Sequence, residues 1–153
     1  MTDQQSAVQA TTGSRAPWHL WFVGVLAVLW NAVGAFDYLM TQTQNEGYMA
    51  RFTPEQLEFF YGFPWWVVSF WAIAVWGSVL GSLLLLLRKR FAVEVFGVSF
   101  IAMVLTTIHN YGFSGGYEVV GGVVPILFSI LIFLIALGLL LYARAMRRRG
   151  VLA

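Results

Sequence analysis

The chain of 153 residues contains no cysteine, two histidines and few charges, with charged residues at 10%. Without cysteine there can be no disulfide framework, no thiolate metal site and no Cys-based redox relay, which excludes thiol–quinone oxidoreductases of four-helix design. His19 and His109 lie about a membrane apart, so no bis-His haem can form, because both ligands must meet one iron. The sequence has no clustered Asp, Glu and His set for a di-metal centre, no Walker loop and no G-x-S-x-G. No metal or cofactor is therefore expected, and the chain does not read as an enzyme.

Apolar residues dominate what remains. Hydrophobic residues make up 59% and aromatics 17%, with seven Trp, where a soluble domain averages about 45–50% apolar and about 25% charged. This is the composition of a membrane protein with several membrane–water crossings, at which Trp and Tyr anchor helix ends. Arg88-Lys89-Arg90 stands between two long apolar runs. Three consecutive cations are too costly in hydrocarbon, so they mark a membrane surface, and Lys/Arg enrichment makes it the cytoplasmic one.

The predicted fold is all-α, a polytopic bundle of four transmembrane helices over about 18–40, 65–87, 91–111 and 123–142. About 20 residues at about 1.5 Å each cross a bilayer core. Met1 to Ala16 is a polar leader, expected to be flexible and cytoplasmic, and lacks the basic n-region and small-x-small site of a cleaved signal. Residues 17–143 form the transmembrane domain, and 144–153 are expected as a basic cytoplasmic tail. Between spans one and two, Thr53-Pro54-Glu55-Gln56 has the signature of a helix start. It should open a short amphipathic helix in the interface, with Leu57, Phe60, Tyr61 and Pro64 on one side. Of nine Lys and Arg residues, eight (Arg15, Arg88, Lys89, Arg90, Arg144, Arg147, Arg148 and Arg149) fall on the side of the termini and only Arg51 on the other. That bias places both termini in the cytoplasm and makes the basic clusters topology and anionic-lipid anchors rather than a nucleic-acid surface.

Polar groups inside spans are the first functional candidates. Asn31, Gly34 and Tyr38 fall on one face of the first span, flanked by Asp37. Ser99, Ala102, Thr106, His109 and Asn110 form a small, polar stripe on the third. Asp37 lies about 28 Å of helix from Trp18, and His109 about 27 Å from Phe91, so both reach a similar level in the outer leaflet. An Asp37–His109 pair with Tyr38 and Asn110 nearby reads either as a proton-linked or solute-binding site or as a polar cluster locking two helices. Gly77 and Gly81 form a GxxxG that permits close helix approach, within the bundle or between protomers. Glu94, one turn after Arg90, is expected to pair with it or snorkel, and His19 to anchor at the inner surface.

The segments Trp30-Asn31-x-x-Gly34-x-x-Asp37-Tyr38, Phe52-Thr53-Pro54-Glu55-Gln56, Phe70-Trp71-Ala72 and Val75-Trp76-Gly77 carry a resemblance. Over about Pro17 to Tyr111 the chain resembles a family of small proteobacterial inner-membrane proteins sometimes labelled "sugar transporter". The resemblance implies a four-helix inner-membrane protein. Two functions are carried forward. One is binding or transport of a small solute with proton linkage, by a homo-oligomer. The other is a non-enzymatic accessory or assembly subunit of a larger membrane complex. Small multidrug transporters share the size and span number but place a Glu near the middle of the first helix, where this chain has Asn31.

Overall fold

In lipid, every backbone N–H and C=O must be satisfied within the protein, and a helix does this within one segment. The computed structural model describes residues 16–120 and 122–153, and these form helices joined by turns, without strands. Residues 1–15 of the leader, Arg15 among them, and Gly121 lie outside the described residues. Four helices are long and apolar enough to cross a membrane. They are α1 (Trp18–Gln42), α4 (Trp65–Leu86), α5 (Ala92–Ile108), which reaches spanning length only with the π turn that continues it to Phe113, and α7 (Val123–Arg148). Pro17 and Pro64 immediately precede α1 and α4, where a residue without an N–H costs nothing. Short helices α2 (Glu46–Met49) and α3 (Pro54–Tyr61) join α1 to α4. A π turn (His109–Phe113) and α6 (Gly116–Val120) join α5 to α7. The expected capping box of α3 is formed: Gln56 N–H donates to Thr53 Oγ1 at 3.3 Å, and Thr53 N–H donates to Gln56 Oε1 at 3.1 Å.

The helices pack in sequence order, α1 on α4, α4 on α5 and α5 on α7, with α4–α5 the most extensive contact. Small residues set that contact, because apolar surface gains nothing by leaving lipid for protein. A Cβ on Gly77 would lie 3.0 Å from the Ser99 Cβ, and one on Gly81 would lie 2.8 Å from the Phe96 ring. The GxxxG therefore serves the inside of the bundle. Gly34 does not share this role: it is exposed, and a Cβ there would meet nothing within 4 Å. Gly24 is the close-approach glycine of α1, against Leu86.

A polar ladder, half-buried to buried, runs through the same interface. Ser99 donates to the Ala74 carbonyl at 2.5 Å and lies 2.7 Å from Ser78 Oγ. Ser82 donates to the Ser78 carbonyl at 2.8 Å, and Asn31 Nδ2 donates to Ser82 Oγ at 2.9 Å. Asn31 thus joins α1 to α4 in the middle of the bundle and takes no part in a site near Asp37.

The hydrophobic core sits at the end that carries the basic clusters. Leu20, Leu85, Val93, Phe96, Leu140 and Met146 meet there. Residues 144–153 are no tail. Arg144, Arg147 and Arg148 belong to the last turns of α7, and Val151 and Leu152 turn back into this core. The return is fixed to the α4–α5 loop by Ala153 N–H to the Arg88 carbonyl at 2.8 Å, Arg90 N–H to the Ala153 carbonyl at 3.0 Å and Arg88 Nε to the Val151 carbonyl at 3.1 Å. Glu94 pairs with Arg147 rather than with Arg90, joining α5 to α7. His19 shares a 2.6 Å hydrogen bond with Tyr142, which ties α1 to α7 at this end.

Substituting Gly81→Ala should destabilise the folded protein by about 1–3 kcal/mol, because Phe96 is enclosed and its ring cannot yield. Gly34→Ala should be neutral or stabilising by up to about 1 kcal/mol, as the residue gains helix propensity in open space. Thermal unfolding of both variants in detergent checks the pair; equal effects would place the two glycines in equivalent surroundings and overturn the assignment.

Candidate functional site

The opposite end is looser and rich in aromatic rings. Asp37 and Thr41, four residues apart on α1, share a face, as do Thr106 and Asn110 at the end of the third span. These two faces flank a cavity of about 300 Å³. Trp71 of α4 contributes a wall, and Phe52, Phe60 and Phe63, all from the connection around α3, close it. The rings brace one another edge to face, Phe52 on Phe60 at 5.3 Å and Tyr38 on Trp71 at 5.0 Å between centroids, the geometry favoured by ring quadrupoles.

Asp37 is held from α2. Tyr48 OH donates to Asp37 Oδ1 at 2.5 Å. Tyr48 is itself placed by Asn45, whose side chain caps α2 by accepting the Tyr48 N–H at 3.0 Å. The Arg51 guanidinium lies 3.6 Å from the centre of the Tyr48 ring, and Arg51 Nε donates to the Tyr48 carbonyl at 3.1 Å. Burial, then the hydrogen bond and charge of Asp37, raise the Tyr48 pKa above its ordinary value, with Arg51 opposing them.

His109 faces elsewhere. It opens the π turn, a distortion that recurs at functional sites. Ser114 Oγ lies 2.9 Å from its Nδ1 and 3.2 Å from its Nε2, and the Trp66 ring stands perpendicular to it at 4.9 Å. It lines a second, more open cavity of about 570 Å³ together with Glu55 and Glu58. Phe63 lines both cavities and stands between them. The structure therefore brings Asp37 together with Asn110 and places Tyr38 behind Trp71, while His109 joins Ser114 instead of Asp37. Equal helix length from the basic end does not set azimuth: the π turn and Phe63 decide which side of α5 each residue serves. Among the described residues, no group of three His, Asp or Glu converges as a metal site.

Tyr48, Thr41 and Phe63 carry no individual signal in the sequence, and Phe60 is legible only as part of an apolar helix face. The Asn45-x-x-Tyr48 spacing is the one usable hint, since an Asn three residues before a backbone donor is an N-cap pattern. The chain matches no family model, no curated protein and no solved structure.

Replacing Tyr48 with Phe removes the only side-chain donor to Asp37 among the described residues. The loss should be about 1 kcal/mol, below the range for fully buried hydrogen bonds to charged groups because Tyr48 is half-buried. A raised phenol pKa means that this contribution is present below the free tyrosine pKa and lost as pH climbs through the folded one. Thermal unfolding should show the wild type converging on Tyr48→Phe at strongly alkaline pH; a gap that persists there would assign the effect to packing.

Proposed function

We propose that this is a small integral protein of a bacterial inner membrane that binds a small solute in the cavity beside Asp37. The observation that carries the reading is the cavity itself: aromatic walls with one carboxylate and a few further polar groups. Its volume of about 300 Å³ falls at the lower end of small-molecule sites, about 300–1,000 Å³. The resemblance to inner-membrane proteins labelled as transporters agrees with a solute role. Asp37 and His109 line different cavities, so this solute site has no proton linkage through that pair.

The same reading orients the molecule. The clusters at Arg88–Arg90 and Arg144–Arg149 put that end in the cytoplasm, and the cavity opens in the outer leaflet. A cysteine-free chain makes the orientation directly testable. With single Glu46→Cys and Lys89→Cys variants in spheroplasts, a membrane-impermeant maleimide should label Glu46→Cys at once and Lys89→Cys only after permeabilisation. The opposite pattern would invert the assignment.

Binding is tested by thermal-shift screening of the detergent-solubilised protein against a panel of small solutes. Asp37→Asn keeps an acceptor for Tyr48, so it should fold normally and lose the solute-induced shift. If it merely lowers the yield of folded protein, the cluster is structural. A second reading, an accessory subunit, draws on the outer half of α7, where Val124, Leu127 and Phe128 are exposed. Native mass spectrometry would support it by finding a heterologous protein at fixed stoichiometry.

A further inference from the structure

We infer that the Asp37 cavity takes a small organic monocation, an alkylammonium, rather than a neutral polyol or an anion. This deepens the solute-binding reading above and rests on it. Four rings, Phe52, Phe60, Phe63 and Trp71, line the cavity around one carboxylate. Among the described residues, no Lys or Arg forms an ion pair with Asp37. Its contact is the neutral phenol of Tyr48, so its charge remains available to a ligand. Aromatic faces attract cations through the ring quadrupole, and a carboxylate beside them adds a direct counter-charge.

Of the four polar groups that line the cavity, Asp37 and Thr106 present acceptors to it. The Thr106 hydroxyl already donates to the Ala102 carbonyl at 3.0 Å, and Asp37 only accepts. An anion would meet the carboxylate without a compensating cation. A polyol would bury several hydroxyls against rings, and each one left unpaired costs binding. An ammonium group with methyl or alkyl substituents satisfies both halves of the surface.

Two further observations point the same way. The chain already places a cation on an aromatic ring at this rim, with the Arg51 guanidinium 3.6 Å from the Tyr48 ring centre. The surrounding end is acidic: Asp37, Glu46, Glu55, Glu58 and Glu118 are opposed by Arg51 alone. A surface of one sign concentrates ligands of the other.

The ammonium can arrive as a free solute or as the headgroup of a zwitterionic lipid, because the chemistry is shared. The test is equilibrium dialysis of the full chain in maltoside micelles against three labelled probes: choline, its neutral carbon isostere 3,3-dimethylbutan-1-ol, and glucose. Choline should bind about tenfold more tightly than the isostere, and Asp37→Asn should erase that difference while Trp71→Ala weakens both. If Trp71→Ala does not fold, Phe52→Ala, at the rim, takes its place. Equal binding of choline and isostere, or preferred binding of glucose, overturns the cation and leaves solute binding standing. No binding of any probe overturns both. Competition then assigns the source. Displacement of choline by dihexanoylphosphatidylcholine but not by dihexanoylphosphatidylglycerol identifies a lipid headgroup, and displacement by neither identifies a free solute.

Discussion

The ladder that joins Asn31, Ser82, Ser78 and Ser99 is the contact on which the rest of the bundle depends. In water, helices associate because apolar faces leave the solvent. In a bilayer that drive is missing, and close backbone approach and interhelical hydrogen bonds take its place. Gly77 and Gly81 bring α5 near enough for Ser99 to reach the Ala74 carbonyl. Asn31 then pins α1 to the same strip of α4. Each such bond is worth only about 0.6–2 kcal/mol in a membrane, so the set acts by fixing register rather than by bulk stabilisation. With register fixed, Asp37 and Trp71 arrive at one level.

From that midpoint the two ends diverge. At the basic end, side chains from all four long helices and the Val151–Leu152 return form a continuous core, reinforced by Glu94–Arg147 and His19–Tyr142. At the aromatic end, closure falls to short helices and rings. Helix α3 contains no buried residue, and Gly116 lets its Phe59 approach α6, since a Cβ there would lie 3.0 Å from the ring. One end holds the helices together, and the other is free to form cavities.

Much of this was legible in the residues. Long apolar runs broken by Arg88-Lys89-Arg90 gave four spans, three to within about two residues and the last six residues short of Arg148, because spanning length and charge cost are properties of the bilayer as much as of the protein. Pro54 and the Thr53–Gln56 box gave α3 for a local reason. Partner choice was not local. Asn31 looked like part of a site because its helical face includes Tyr38, yet Ser82, 51 residues on, claims it. His109 looked like a partner for Asp37 because both lie at the same depth, but depth is one coordinate of two. The π turn that sets the other has no signature in His109-Asn110-Tyr111-Gly112-Phe113. The return of the chain end had a local sign in the sequence: Gly150 (φ 67°) after Arg149, with the Val151 N–H on the Met146 carbonyl at 3.0 Å, is a glycine helix stop followed by an apolar residue. Its docking on the left-handed Arg88 (φ 58°), which presents its carbonyl to Ala153, is not local.

Where the cavity sits along the helices also fixes its electrical character. Asp37 lies five residues, about 7.5 Å, from the end of α1, on a helix that spans the membrane. Carrying one charge across the full thickness against 100 mV costs about 2.3 kcal/mol, and a site this shallow intercepts only a small fraction of that drop. A charge seated beside Asp37 would therefore feel the membrane voltage only weakly.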